Sequence, residues 1–207
     1  MTNSPPHHDN RSAHWRRPDE LYTGGRPPWD IGRPQPAFLA LADAGEIRGR
    51  VLDVGCGTGE HVLLCADRSL DATGVDLAPT ALAAARIKAD QRHLTARFLL
   101  HDARRLADLA ESFDTVLDCG LFHIFDGADR AAFVAALRTA LVPGGRYLML
   151  CFSDAQPGDS GPHRVTRDEI STAFQPGWRV DSIEPAIIET LTDPAGIRAW
   201  LAALTRT

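Results

Sequence analysis

The residues Asp53-Val54-Gly55-Cys56-Gly57-Thr58-Gly59 combine a carboxylate with glycines at alternate positions, at the end of a short apolar run. Alternating glycines let a backbone turn tightly and let a ligand approach without side-chain obstruction. Such a loop could hold a dinucleotide, but that fingerprint, G-x-G-x-x-G, needs glycine where this chain has Glu60. A carboxylate at a helix start would also repel a pyrophosphate. The loop therefore favours a ligand without phosphates. Asp76 follows at the separation, about 20 residues, from which a carboxylate can accept both hydrogen bonds of a ribose diol. In His101-Asp102-Ala103, Asp102 is a third acceptor, suited to an exocyclic adenine amine. A nucleoside lying across a glycine turn is the implied ligand.

Other reactive side chains carry weaker signals. His123 has the ordinary pKa range of a neutral-pH base, and it reads either as a base or as a buried ring satisfied by the backbone. His163 and Arg164 fall in a loop and could bind an anionic group. Cys56, Cys65, Cys119 and Cys151 form no C-x-x-C pair, so reduced, buried thiols are expected rather than a zinc site or disulfide framework. His7 and His8 stand alone in a polar segment, and no metal site is expected.

The elements that must position these residues alternate strand and helix from position 50 onward, the signature of a parallel sheet with crossover helices. Strands are expected at 50–55, 71–76, 95–101, 113–119, 146–152 and 178–184. Helices are expected at 60–67, 79–92, 103–109, 128–141 and 167–174, with the fourth of these stopped by Pro143-Gly144-Gly145. The end, 197–205, fits strand or helix, and strand is preferred. All three acceptors then lie at carboxyl ends of strands, where open α/β sheets bind ligands. Residues 1–18 have the composition of a flexible tail. Residues 19–36 are rich in glycine and proline, which argues against regular structure, yet Tyr22, Trp29 and Ile31 offer apolar anchors. They read as a lid on a single domain spanning 19–207.

The chain has 207 residues, 44% hydrophobic and 24% charged, which suits one globular domain. A net charge of −5 supplies no general attraction for nucleic acid or anionic lipid. No apolar run approaches the ~18–20 residues that cross a bilayer, so a cytoplasmic protein is expected. The composition gives no reading of oligomeric state.

With these residues in place, the chain resembles the class I S-adenosylmethionine-dependent methyltransferases. VLDVGCGTGE, GVD, HDA, FDTVLDCGLFHIF and LVPGGRYLMLCF match that family's successive motifs in order, over residues 29–205. The segment Pro28-Trp29-Asp30-Ile31-Gly32-Arg33-Pro34-Gln35-Pro36 is similar to that of the thiopurine, thiol and halide methyltransferase branch and related actinobacterial small-molecule methyltransferases. The resemblance implies a Rossmann-like, doubly wound α/β sheet of seven strands, mostly parallel with the last antiparallel. It implies S-adenosylmethionine as cofactor, and a small-molecule methyl acceptor with a soft or weakly basic nucleophile.

Carried over by position, the resemblance places the methionine end at Asp53, Gly55, Cys56, Gly57, Thr58 and Gly59, and the ribose at Asp76 with Leu77. Adenine falls between Asp102 and Ala103, the amino-acid portion over the Cys119 backbone, and Trp29 covers the cofactor. The acceptor pocket falls to Trp29, Phe122, His123, Phe152, His163 and Arg164. The chain lacks the Asn/Asp-Pro-Pro-Tyr/Phe motif after the fourth strand and has Cys119-Gly120-Leu121-Phe122-His123 instead. That departure disfavours an amino-group methyltransferase acting on nucleic acid or glutamine. Methylation of a thiol sulfur or heteroaromatic nitrogen is the leading expectation. Halide or tellurite methylation, a dinucleotide-dependent oxidoreductase, and a non-catalytic binder of the cofactor are the alternatives.

Overall fold

The computed structural model describes residues 17–159 and 161–207. All but the last two positions of the expected tail lie outside the described residues. Seven strands, β1 (Arg50–Val54), β2 (Asp71–Asp76), β3 (Arg97–Leu100), β4 (Phe113–Cys119), β5 (Leu141–Phe152), β6 (Trp178–Ile188) and β7 (Ile197–Arg206), form one sheet. Their order is β3-β2-β1-β4-β5-β7-β6. The first five are mutually parallel, and β7 runs antiparallel to both β5 and β6. The order reverses at β1, so the ends of β1 and β4 open a crevice at the switch point where such sheets bind ligands.

Among the described residues, six helices, α1 (Glu20–Thr23), α2 (Pro36–Asp43), α3 (Glu60–Asp67), α4 (Pro79–Gln91), α5 (Gly127–Ala140) and α6 (Arg167–Ala173), accompany the sheet. Successive strand residues point to opposite faces. In β5, Tyr147, Met149 and Cys151 pack with Phe133 and Leu137 of α5 and Ile170 of α6. The intervening Leu148 and Leu150 pack on the other face with Phe38 of α2, Val62 of α3 and Leu82 of α4. A strand buried on both faces reads as a continuous apolar run, which is what VLDV, TVL and YLMLC are.

Several boundaries differ from the sequence reading. Helix α5 ends at Ala140, before Pro143, because Leu141 is already extended and pairs with Phe113 at the start of β5. The Pro-Gly-Gly stretch is therefore part of an irregular strand, not a helix stop. β6 continues past Glu184 through Pro185 to Ile188, which is possible because an edge strand can leave one N–H side unpaired. The segment Ala103–Leu109 is a 3₁₀ stretch rather than an α-helix. Residues 19–36 were expected to lack regular structure, yet Glu20–Thr23 form a helical turn, and Pro36, at a first helical position, opens the unforeseen α2. The chain end is strand despite its alanines: Ala199, Ala202 and Ala203 are buried between neighbours, and packing overrides helix propensity.

Phe174 is fully buried and joins an aromatic group, with centroids 5.6 Å from Phe122, 5.4 Å from Tyr147 and 5.2 Å from Trp178. Through Phe122 this group supports the loop after β4. Phe174→Ala should destabilise the protein by ~3–5 kcal/mol, measured by urea denaturation. A loss below about 1 kcal/mol would show that the surroundings collapse to fill the cavity.

Candidate active site

The glycine loop leaves β1 in the left-handed region, with φ of 51° at Gly57 and 83° at Gly59. A Cβ at Gly59 would lie 2.7 Å from the Phe98 ring and 2.9 Å from Ala85, so only glycine lets α3 start this close to β3 and α4. A Cβ at Gly57 would lie 2.7 Å from the Tyr22 hydroxyl. The loop is thus covered by the N-terminal segment. Gly55 and Cys56 both donate backbone N–H groups to the Val75 carbonyl, which ties the loop to β2.

Asp76 ends β2 and accepts from the Gly57 N–H (2.8 Å) through Oδ2 and the Ala78 N–H (2.8 Å) through Oδ1. Each oxygen keeps one lone-pair direction for a further donor. Burial raises its pKa, opposed by those backbone bonds. Leu77 beside it is an exposed apolar side chain. Asp102, at the end of β3, is held by the Arg104 side chain and N–H; these hydrogen bonds outweigh burial and keep its carboxyl below the ordinary value. Ala103 is buried in the core, so it can offer a ligand only its backbone.

Asp53 lies under the loop, almost wholly buried, and its Oδ2 has no hydrogen-bond partner among the described residues. Burial first, then the neighbouring Asp118 and Asp76, push its pKa well up. His61 places Nδ1 3.9 Å from that oxygen, beyond hydrogen-bond reach, while its Nε2 accepts from the Gln35 N–H. Burial holds His61 neutral, with its pKa down at about 4. A buried carboxyl group with an oxygen free to accept, beside two further acidic groups, suits a ligand that brings positive charge and N–H donors. A ligand carrying an ammonium and a sulfonium fits it, with Asp76 available for a ribose diol.

The sequence reading passed over Asp118, although a carboxylate inside the apolar run of β4 was a visible signal. Asp118 accepts from Leu121 N–H (2.7 Å), Phe122 N–H (3.0 Å) and the Tyr147 hydroxyl (2.6 Å). It fixes the loop after β4, which carries Phe122 and His123. Cys119, half-buried, starts that loop, and burial raises its thiol pKa. His123 accepts from the Phe152 N–H at Nδ1 (3.0 Å), so the neutral ring carries its proton on Nε2. Burial, with lesser contributions from His163 and Arg130, drops its pKa to about 3. Its ring meets Phe152 edge-on at 4.8 Å.

His163 is exposed and paired with Glu169 (2.7 Å). Arg164 donates to the carbonyls of Gln156 and Pro162 and braces its own loop. Trp29 is 39% exposed, and its indole N–H lies 3.5 Å from the Tyr22 hydroxyl. Tyr22, not Trp29, is the aromatic residue at Gly57; the sequence marked it only as an anchor. Asp30 was likewise missed: it accepts from Thr58 Oγ1 at 2.8 Å. Glu60 does not act as an unpaired charge: hydrogen bonds from Arg92 and Lys88 outweigh its burial and lower its pKa. Its repulsion of a pyrophosphate is therefore weaker than the sequence implied. Among the described residues, no three His, Cys, Asp or Glu side chains are grouped to hold a metal ion, and no helix is long and apolar enough to cross a membrane.

A doubly wound sheet with a glycine turn and three buried or half-buried acidic side chains at its switch point is the architecture of the methyltransferase type. Residues 51–145 match the family model described as a methyltransferase domain. The chain is 37% identical, over 82% of its length and 75% of the relative's, to the 2-heptyl-1-hydroxyquinolin-4(1H)-one methyltransferase of Mycobacteroides abscessus. It is 28% identical, over 84% and 77%, to the probable thiol methyltransferase 2 of Arabidopsis thaliana. A solved structure described as the conversion of a disulfide bond into a thioacetal group during echinomycin biosynthesis superimposes with a TM-score of 0.85. Its identity is 38%, over 92% of each chain. The chain belongs to the class I S-adenosylmethionine-dependent methyltransferases, and it is an enzyme of that family acting with S-adenosylmethionine.

Asp76→Ala should weaken binding of S-adenosylhomocysteine by ~2–4 kcal/mol, since a buried diol loses a charged acceptor. Calorimetry on the folded variant checks this, and an unchanged Kd would remove Asp76 from the site. Asp118 supplies a pH test. Burial raises its folded pKa from the ordinary 3.8 to about 6, against the pull of Tyr147 and the two N–H donors. Its contribution to stability is therefore full below the unfolded value and lost as pH rises through about 6. The stability gap between parent and Asp118→Asn should widen as pH falls from about 7 to 4, read by urea denaturation. A gap independent of pH would show that Asp118 is not raised.

Proposed function

We propose that this enzyme methylates a small molecule at a thiol sulfur or a heteroaromatic nitrogen, with Trp29, Phe122, His123, Phe152, His163 and Arg164 around the acceptor. The observation that carries the reading is the state of His123. With Nδ1 engaged by Phe152 N–H and the ring neutral, His123 serves as an oriented N–H donor and pocket wall, and no proton need be removed. An acceptor that attacks as a thiolate or through a neutral ring lone pair needs no base. The relative named for thiols supports the sulfur half of this range, and the one named for a hydroxyquinolinone supports a small heterocyclic acceptor without assigning the methylated atom.

S-adenosylmethionine supplies an activated methyl group on a sulfonium. This chain's residues bind and orient the two reactants. Asp53 and the loop from Gly55 through Cys56, Gly57 and Thr58 to Gly59 hold the methionine end, with the Cys119 backbone beneath. Asp76 and Leu77 hold the ribose, and Asp102 and Ala103 flank adenine. Residues 19–36 act as a lid that excludes water and keeps the nucleophile unsolvated at near-attack distance. The setting is cytoplasmic.

Incubating the full chain with S-adenosylmethionine and a panel of thiols, heteroaromatic amines, halides and tellurite, with mass detection, tests the proposal. Methylated thiols or heterocycles are expected, with stoichiometric S-adenosylhomocysteine. Turnover confined to halide or tellurite would overturn the acceptor assignment. Cofactor binding without any product would make the chain a binding protein.

A further inference from the structure

Lys88 is the one lysine in a chain whose other basic residues are all arginine. It lies on α4, outside every motif singled out in the sequence, and its Nζ is 2.8 Å from Thr58 Oγ1 and 2.8 Å from Glu60 Oε1. An ammonium has hydrogens to donate and nothing to accept with. At Thr58 the hydroxyl oxygen must therefore be the acceptor, and its single hydrogen must point elsewhere. It points to Asp30 Oδ2, 2.8 Å away, a carboxylate oxygen that can only accept. The lysine thus sets the direction of the Thr58 hydroxyl and makes it a donor to the N-terminal segment.

Asp30 in turn holds the turn that carries Trp29. Its Oδ1 accepts from the Gly32 N–H at 3.1 Å and lies 3.4 Å from the Arg26 guanidinium. Glu60 is shared between Lys88 and Arg92, and Arg92 alone binds both its oxygens, at 2.9 and 3.0 Å, so a partner remains when Lys88 is replaced. The bond to Thr58 is the contribution specific to Lys88. A compact point charge reaches two acceptors in different directions, which a planar guanidinium fork does less well.

We infer that Lys88 is a positioning residue that, through Thr58 and Asp30, holds residues 26–33 over the cofactor loop. The inference rests on the methyltransferase reading for its consequence, cofactor retention, but the latch itself is independent of it. Asp19 to Thr80 and Gln35 to Glu189 anchor the segment outside this stretch, and the Leu191 N–H to the Pro28 carbonyl and Arg33 to Glu189 hold it at two further points within it. Loss of Lys88 should therefore loosen the turn locally without releasing the whole segment.

The test is limited chymotrypsin digestion of the full chain, with and without S-adenosylhomocysteine, alongside calorimetric Kd and thermal melting. Lys88→Met should raise cleavage after Trp29, and weaken Kd, by about tenfold, the lower end of the scale of one charge-assisted hydrogen bond, with little change in Tm. Lys88→Arg, which also only donates, should recover part of the protection. Asp30→Asn leaves the Lys88–Glu60 pair intact and should give the same cleavage change, so the test survives if Lys88→Met fails to fold. The double variant should be no worse than either single one. Unchanged cleavage in both variants, or effects that add, would overturn the latch. If the parent chain fails to bind S-adenosylhomocysteine, the cofactor reading falls, while the cleavage difference without ligand still decides the latch.

Discussion

The turn that ends β1 constrains everything around it. Gly55, Gly57 and Gly59 all adopt positive φ within five residues, so the backbone reverses where strand β1 would otherwise run into α4 and β3. Because Gly59 packs against Phe98 and Ala85, the start of α3 is fixed relative to both. Because Gly57 donates to Asp76, the ends of β1 and β2 are fixed relative to each other. Replace the turn, and the crevice at the sheet's switch point has no floor.

Above that floor three acidic side chains lie buried or half-buried together. Asp53, Asp76 and Asp118 each have a pKa raised mainly by burial, and the first also by the other two. Asp118 is satisfied by three donors and acts on the loop that carries Phe122 and His123. Asp53 is left with a bare oxygen. A cation beside these groups would favour their ionised forms, so this end of the sheet suits a positively charged ligand.

The N-terminal segment shows how a stretch rich in glycine and proline becomes ordered. Short-range hydrogen bonds such as Gly32 N–H to Asp30 shape its turns, and other polar contacts tie it to the rest of the fold: Asp19 to the start of α4, Asp30 to the glycine loop, Gln35 to the backbone of Glu189. Tyr22 reaches the cofactor loop in the same way. Segments tied by side chains to a ligand-binding loop can respond to what that loop holds, and their order belongs to the site rather than to the fold.

The sequence by itself determined the sheet and the axis of the site. Apolar runs at strand length, helical spacing between them, and the D-x-G-x-G-x-G loop followed by Asp76 and Asp102 fixed which strand ends face the ligand, because periodicity and glycine chemistry are local properties. It also carried the family resemblance. Only the tertiary structure decided which side chains are engaged and which are free. That Glu60 is paired with Lys88 and Arg92, that His123 has given its Nδ1 lone pair to Phe152, that Asp118 is bound by the Tyr147 hydroxyl, and that Tyr22 and Asp30 close on Gly57 and Thr58 are pairings between residues tens of positions apart. A hydrogen-bond partner is set by distance in space, and no local pattern in the chain encodes it. The length of β6 and the strand at the alanine-rich end belong with them, since edge position and burial, not propensity, settled both.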